Sequence, residues 1–190
     1  MALDRKEKEY LLKLARQAVW LYLKQGKVLE LKPADVPHKK LVADGACFVT
    51  LRSNDGQLRG CIGTLEAQRP LVFDVIANAL SAAFEDPRFR PLTLGELEGV
   101  KFSISVLTPP VPLPVKDADD LLRKLVPQRH GLTIRRGYAQ ATFLPAVWEE
   151  LPEKEQFLAH LCMKAGLGPG DWKRTKGMEF QTYEAEEFSE

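Results

Sequence analysis

The chain has 190 residues, 45% of them hydrophobic and 28% charged, a balance that excludes disordered and fibrous classes and is sufficient for a substantial core. A formal net charge of +1 supplies no global field for nucleic acid, and no apolar run approaches the roughly 18 residues that span a bilayer. Cys47, Cys61 and Cys162 lie far apart, as do His38, His130 and His160, so no zinc site, disulfide framework or cofactor is expected.

The start, Met1 to Glu7, is charged and lacks the apolar core of a secretory signal, so a cytoplasmic location is expected. Asp4 and Glu7 form a capping box for a helix that Gly26 stops, with Tyr10, Leu11, Leu14, Ala18, Leu21 and Tyr22 as its buried stripe. After a polar connection from Lys32 to Lys40, Ala46–Leu51 and Gln57–Leu65 read as a hairpin turned by Ser53-Asn54-Asp55-Gly56. Arg69-Pro70 opens a second helix, with Leu71, Val75, Ile76, Ala79, Leu80 and Ala83 inward, which ends before Pro87.

Val100–Leu107 alternates apolar and polar residues, as a half-buried strand does. The proline-rich run Thr108–Pro114 predicts an extended surface strap outside any ladder. A short helix at Asp117–Leu125 follows, then a hairpin of 130–135 and 140–144 turning at Gly137-Tyr138. A helix from Pro152 to Ala165 and a last strand at Met178–Tyr183 complete the chain. Interspersed helices and strands joined by tight turns predict an α+β fold with antiparallel sheet, and no repeat or low-complexity linker cuts the chain.

The segment richest in chemistry is Leu58-Arg59-Gly60-Cys61-Ile62-Gly63-Thr64. Strand parity points Leu58 and Ile62 to a core, with Gly60 between them, and puts Arg59, Cys61 and Gly63 on the other face. Two glycines in a strand mark a bulge or a close approach to the backbone, and a bulge alters this parity. Two readings stay open: a bulged strand with a small buried cysteine, or a site. In the second, the Arg59 guanidinium favours the Cys61 thiolate, the nucleophilic form. Exposed N–H groups of Gly60, Gly63 and Thr64 then receive an oxyanion or phosphate oxygen. No base is identifiable; His130 and His160 qualify by residue type alone. Cys47 alternates with Val49 and Leu51, and Cys162 has helical spacing with Leu158 and Leu161, so both read as core. Asp86, Arg88 and Phe89 read as a helix stop and salt-bridge corner; Arg88 is also a candidate for the same site.

The chain resembles the AMMECR domain family. The resemblance rests on LRGCIGT (Leu58–Thr64) followed by Arg69-Pro70-Leu71, then on Ala82-Ala83-Phe84 and Asp86-Pro87-Arg88-Phe89. It continues through Ile104 to Pro110, His130-Gly131-Leu132, Phe143-Leu144-Pro145 and His160-Leu161-Cys162, so nearly the whole chain is covered. It implies two subdomains, each with an antiparallel sheet and flanking helices. The larger holds both termini, the smaller is inserted, and the LRGCIGT strand lies near the cleft between them. It also implies a setting: prokaryotic relatives are called AmmeMemoRadiSam system protein A, from genes beside those for Memo-type and radical SAM proteins. Those proteins are candidate partners, but the association supplies no reaction. One departure stands out. Gln140-Ala141-Thr142 precede Phe-Leu-Pro where the family has glycine or small apolar residues.

The expected function is a binding or accessory module whose cleft around Leu58–Thr64 holds a small anionic ligand through Arg59, Gly60, Gly63, Thr64 and Arg88. One alternative is an enzyme with Cys61 as nucleophile or redox centre. Another is an RNA-binding or processing factor with Arg52, Arg88, Arg90, Arg135 and Arg136 on phosphates.

Overall fold

In the computed structural model, which describes residues 2–190, the helices are α1 (Arg5–Gln25), α2 (Leu71–Phe84), α3 (Leu94–Leu97), α4 (Ala118–Lys124) and α5 (Lys154–Lys164). The strands are β1 (Ala46–Ser53), β2 (Leu58–Gly63), β3 (Val100–Leu107), β4 (Val111–Pro112), β5 (Gly131–Arg136), β6 (Ala139–Phe143), β7 (Glu179–Tyr183) and β8 (Ala185–Ser189). The chain divides into two compact units. One runs up to Thr108 and takes in Glu186–Glu190; the other is Pro109–Ala185. Among the described residues, no helix is long and apolar enough to cross a membrane.

In the first unit α1 begins where Asp4 and Glu7 each accept the other's backbone N–H at 2.8 Å, and ends at Gly26, whose φ of 66° suits a residue without Cβ. Its buried stripe is Leu11, Leu12, Leu14, Ala15, Ala18 and Val19. Tyr22, expected inside, is exposed and lies against the Phe84 ring. The unit's sheet has the order β2-β1-β3-β8, with β1 antiparallel to both neighbours. Cys47, Val49 and Leu51 of β1 and Phe102, Ile104 and Val106 of β3 are buried in one core with α1 and α2. The side of the sheet away from those helices is called the outer face below.

Strand β8 follows the strand at Met178–Tyr183 that reads as the last one in the sequence. Its glutamates mask the alternation: Glu186 accepts from the Leu3 N–H at 3.0 Å and pairs with Lys8 at 2.7 Å, while Phe188 packs on the core.

The second unit's sheet has the order β4-β7-β5-β6. The proline-rich run does join a ladder, contrary to expectation: Val111 pairs with Thr182 and Pro112 with Gln181. As an edge strand, β4 leaves the missing proline N–H without a ladder partner to lose. Trp148 stacks on Phe157 at 3.7 Å and donates its indole N–H to His130 O at 2.8 Å.

Thr142 is tied into its sheet through hydroxyl groups. Thr142 sits opposite Thr133, whose hydroxyl donates to it at 3.0 Å, and 2.8 Å from the Tyr183 hydroxyl, which donates to Phe143 O. Burial pushes the Tyr183 phenol up to about 12. Gly131 gives way to that ring, since a Cβ there would lie 2.4 Å from Tyr183 Cε2.

Candidate functional site

Strand β2 is an edge strand, and its pairing with β1 decides where the signature residues point. Gly63 opposes Phe48, Ile62 opposes Val49, Cys61 opposes Thr50 and Gly60 opposes Leu51; Leu58 then opposes Arg52, leaving Arg59 as the extra residue of a bulge. Simple alternation therefore fails at one point. Leu58 shares the outer face with Cys61 instead of facing the core, whereas Ile62 packs on the core. Arg59 does not meet the thiol: its Nε donates to Glu96 Oε1 at 3.1 Å, and Nη2 reaches Pro91 O at 3.4 Å. This guanidinium holds the Glu96 carboxyl down to about 2. Its Nη1 is buried without a hydrogen-bond partner.

The two glycines admit parts of this same chain. A Cβ on Gly60 would lie 2.1 Å from Ala82 O, so β2 rests directly on the backbone of α2. A Cβ on Gly63 would lie 2.3 Å from Phe48 Cγ and 2.5 Å from Cys47 O. The Thr64 N–H, expected to be open, donates to Cys47 O at 3.0 Å.

Below the strand lies a carboxylate that sequence reasoning missed. Asp74, in the first turn of α2, is 1% exposed. Its Oδ2 accepts from Thr64 Oγ1 at 2.5 Å, Asn78 Nδ2 at 2.9 Å and the Cys47 N–H at 3.0 Å, and Arg69 Nε lies 3.3 Å from Oδ1. The Cys47 thiol also donates to Oδ2 at 3.4 Å; burial, and then the Asp74 charge, push that thiol well up. The signal was an Asp and an Asn four apart on an otherwise apolar helix face.

The edge of β2 is closed by the loop after α2. Asp86 Oδ2 accepts the Cys61 N–H at 2.8 Å, and Arg88 Nη2 donates to Cys61 O at 3.3 Å. Asp86 and Arg88 are themselves paired at 2.7 Å. The two side chains offer one acceptor and one donor, as a neighbouring strand does, and so block strand addition at Cys61. Arg88 holds the buried Asp86 carboxyl down to about 2.

A pH dependence follows. The folded pKa values of Asp86 and Glu96 lie below their ordinary values of 3.8 and 4.5, so unfolding takes up protons as acid is added. Their stabilisation is complete above about pH 5 and is lost as pH falls towards 2, with each carboxyl contributing a slope of at most about 1.4 kcal/mol per pH unit. Urea unfolding at stepped pH should show this slope, and Arg88→Ala should reduce it.

What remains available on the signature strand is the Cys61 side chain. Its Sγ accepts from Thr50 Oγ1 at 3.1 Å, and Ser103 of β3 lies opposite Thr50, so Cys61, Thr50 and Ser103 form one straight row on the outer face. Cys47 and Cys162 are fully buried, whereas Cys61 is half-buried. Iodoacetamide should therefore add one label to the native chain, at Cys61, and three after unfolding, as read by intact mass. Among the described residues, no group of three or more His, Cys, Asp and Glu is arranged to hold a metal ion.

The candidate residues thus fall into two sets. Gly60, Gly63, Thr64 and Arg59 meet α2, Phe48, Asp74 and Glu96. Cys61 and Arg88 come together at the strand edge.

The AMMECR1 family model matches residues 12–188. Protein MK0488 of Methanopyrus kandleri is 41% identical over 191 residues, covering 97% of this chain and 88% of the relative. Protein NEQ441 of Nanoarchaeum equitans is 40% identical, covering 95% of this chain and 98% of its own. The crystal structure of the uncharacterized protein PH0010 from Pyrococcus horikoshii superposes with a TM-score of 0.90 at 35% identity, over 99% of this chain and 93% of that one. With the match spanning nearly every element from α1 to β8, this chain belongs to the AMMECR1 family.

Proposed function

We propose that the outer face of the first unit's sheet, at the row Cys61–Thr50–Ser103, is a non-covalent binding surface for a small polar ligand. Arg59, Gly60, Gly63 and Thr64 build its support, and Arg88 stands at its rim. One observation carries the reading: the Cys61 peptide is fixed through both its N–H and its C=O, while its thiol is left half-exposed on that face. A rigid, backbone-satisfied platform with one accessible side chain suits recognition.

Two further observations weigh between the alternatives. The group hydrogen-bonded to Cys61 Sγ is a hydroxyl rather than a histidine or carboxylate, which favours binding over nucleophilic catalysis. Of the five arginines considered for an RNA backbone, Arg88, Arg135 and Arg136 are paired with Asp86, Glu179 and Asp171, which weakens that reading. In this reading the chain acts in the cytoplasm as an accessory to a Memo-type or radical SAM protein, and co-purification at micromolar concentration checks that setting.

The single native label at Cys61 gives the test. Small-molecule fractions of a host-cell extract are added, and the rate of iodoacetamide labelling is followed by intact mass. At least one fraction should slow labelling, and its component should still bind Cys61→Ser. If no fraction protects Cys61, or if wild type converts the component and Cys61→Ser does not, the binding reading is wrong.

A further inference from the structure

Beside the thiol row on the outer face lies a second row in register: Leu58, Arg52 and Lys101. Arg52 and Lys101 stand directly opposite each other on β1 and β3, and like charges so placed destabilise a sheet unless an anion lies near. Elsewhere in this unit Arg5, Arg16, Arg59, Arg69 and Arg88 each have a carboxylate partner. Among the described residues, neither Arg52 nor Lys101 has one within ion-pair distance.

The two cations border a hollow of about 300 Å³, which also takes in Asn54, Ser103, Glu187 and Ser189. That volume is at the small end of ligand sites. Arg52 Nη1 donates to Gly56 O at 3.2 Å, which fixes the guanidinium on the hairpin turn and leaves its other N–H groups for a guest. Glu190, also at the border, is committed to Arg16 and the Phe102 N–H. Glu187 brings a carboxylate to the opposite wall, which accepts hydroxyl groups and repels a second anionic group. No ring is available for stacking a base, because the Phe102 side chain is fully buried.

We propose that this hollow binds a sugar phosphate. The phosphate lies between Arg52 and Lys101 with the Ser103 hydroxyl donating to it, and Glu187 and Asn54 accept from the sugar hydroxyls. Binding relieves the repulsion between the opposed Arg52 and Lys101. The proposal rests on the outer face being the working surface, though not on the thiol itself. Adjacent rows on one face are two residues apart, roughly 7 Å, and Ser103 of the thiol row also borders the hollow, so the guest meets that row at Ser103.

Titration calorimetry on the full chain at low salt tests it, with ribose 5-phosphate, glucose 6-phosphate, ribose and inorganic phosphate as probes. At least one sugar phosphate should bind one per chain. Ribose and inorganic phosphate should each bind about tenfold more weakly, as should that sugar phosphate to the Arg52→Ala/Lys101→Ala variant. Both substitutions are on the surface, and unchanged thermal unfolding shows that the variant folds. Failure of both sugar phosphates to bind, binding unchanged in the double variant, or inorganic phosphate binding as tightly overturns the proposal. A sugar phosphate that binds through these cations without slowing Cys61 alkylation upholds it and removes the thiol row from the binding surface. Extract fractions that protect Cys61 while neither sugar phosphate binds do the reverse.

Discussion

Gly60→Ala should lower unfolding stability by about 3 kcal/mol or more, at the upper end for overpacked cores. The new methyl would lie 2.1 Å from Ala82 O, and the obstacle is helix backbone, so no side chain can turn away. Either β2 lifts from α2 or the helix shifts, and both movements break contacts with the core. Gly95→Ala is the matched control. Nothing lies within 4 Å of its added methyl, and it sits in α3, where alanine is favoured over glycine by up to about 1 kcal/mol. Urea unfolding of the two variants should separate them clearly. A Gly60→Ala protein as stable as wild type would falsify the close approach of strand and helix.

The second large effect is expected at Asp74. Replacing it with alanine removes the acceptor for Thr64, Asn78 and the Cys47 N–H, and leaves the last two buried donors without that partner. Losses of about 3–5 kcal/mol accompany the breaking of such buried charged networks. Arg69→Ala should cost less, because its side chain is partly in solvent and the hydrogen bonds to Oδ2 persist. Unfolding Asp74→Ala, Thr64→Val and the double variant in urea gives the coupling between the signature threonine and the helix. Strictly additive losses would contradict the direct hydrogen bond.

Much of the fold was legible because local patterns decided it. The box of Asp4 and Glu7, the turn before Gly56 and the alternation of Val100–Leu107 each place an element as the structure has it. What escaped depends on partners distant in sequence. Pro112 enters a ladder because β4 is an edge, and β8 is held by Leu3, Lys8 and the Phe102 backbone, none of which its own residues announce.

The site was legible in position and less so in roles. The glycines did mark a close approach, but the approaching groups are α2 and Phe48. A bulge at Arg59 broke the parity that set arginine beside thiol, and no periodicity reports that the irregularity falls there rather than at either glycine. Asp86 and Arg88 looked like a salt-bridge corner, and they are one; that the corner also clamps Cys61 follows from tertiary packing. Asp74 was hidden by its own helix, where a polar residue among apolar ones reads as an interruption rather than a hub.

Five signature positions are thus engaged in holding β2 to the rest of its unit, and the Cys61 side chain is left facing outward. The most direct test of that division is urea unfolding of Cys61→Ala. Stability within about 1 kcal/mol of wild type is expected, as for substitutions outside the packed core. A loss as large as that of Gly60→Ala would make the thiol another packing element and contradict its assignment to the binding surface.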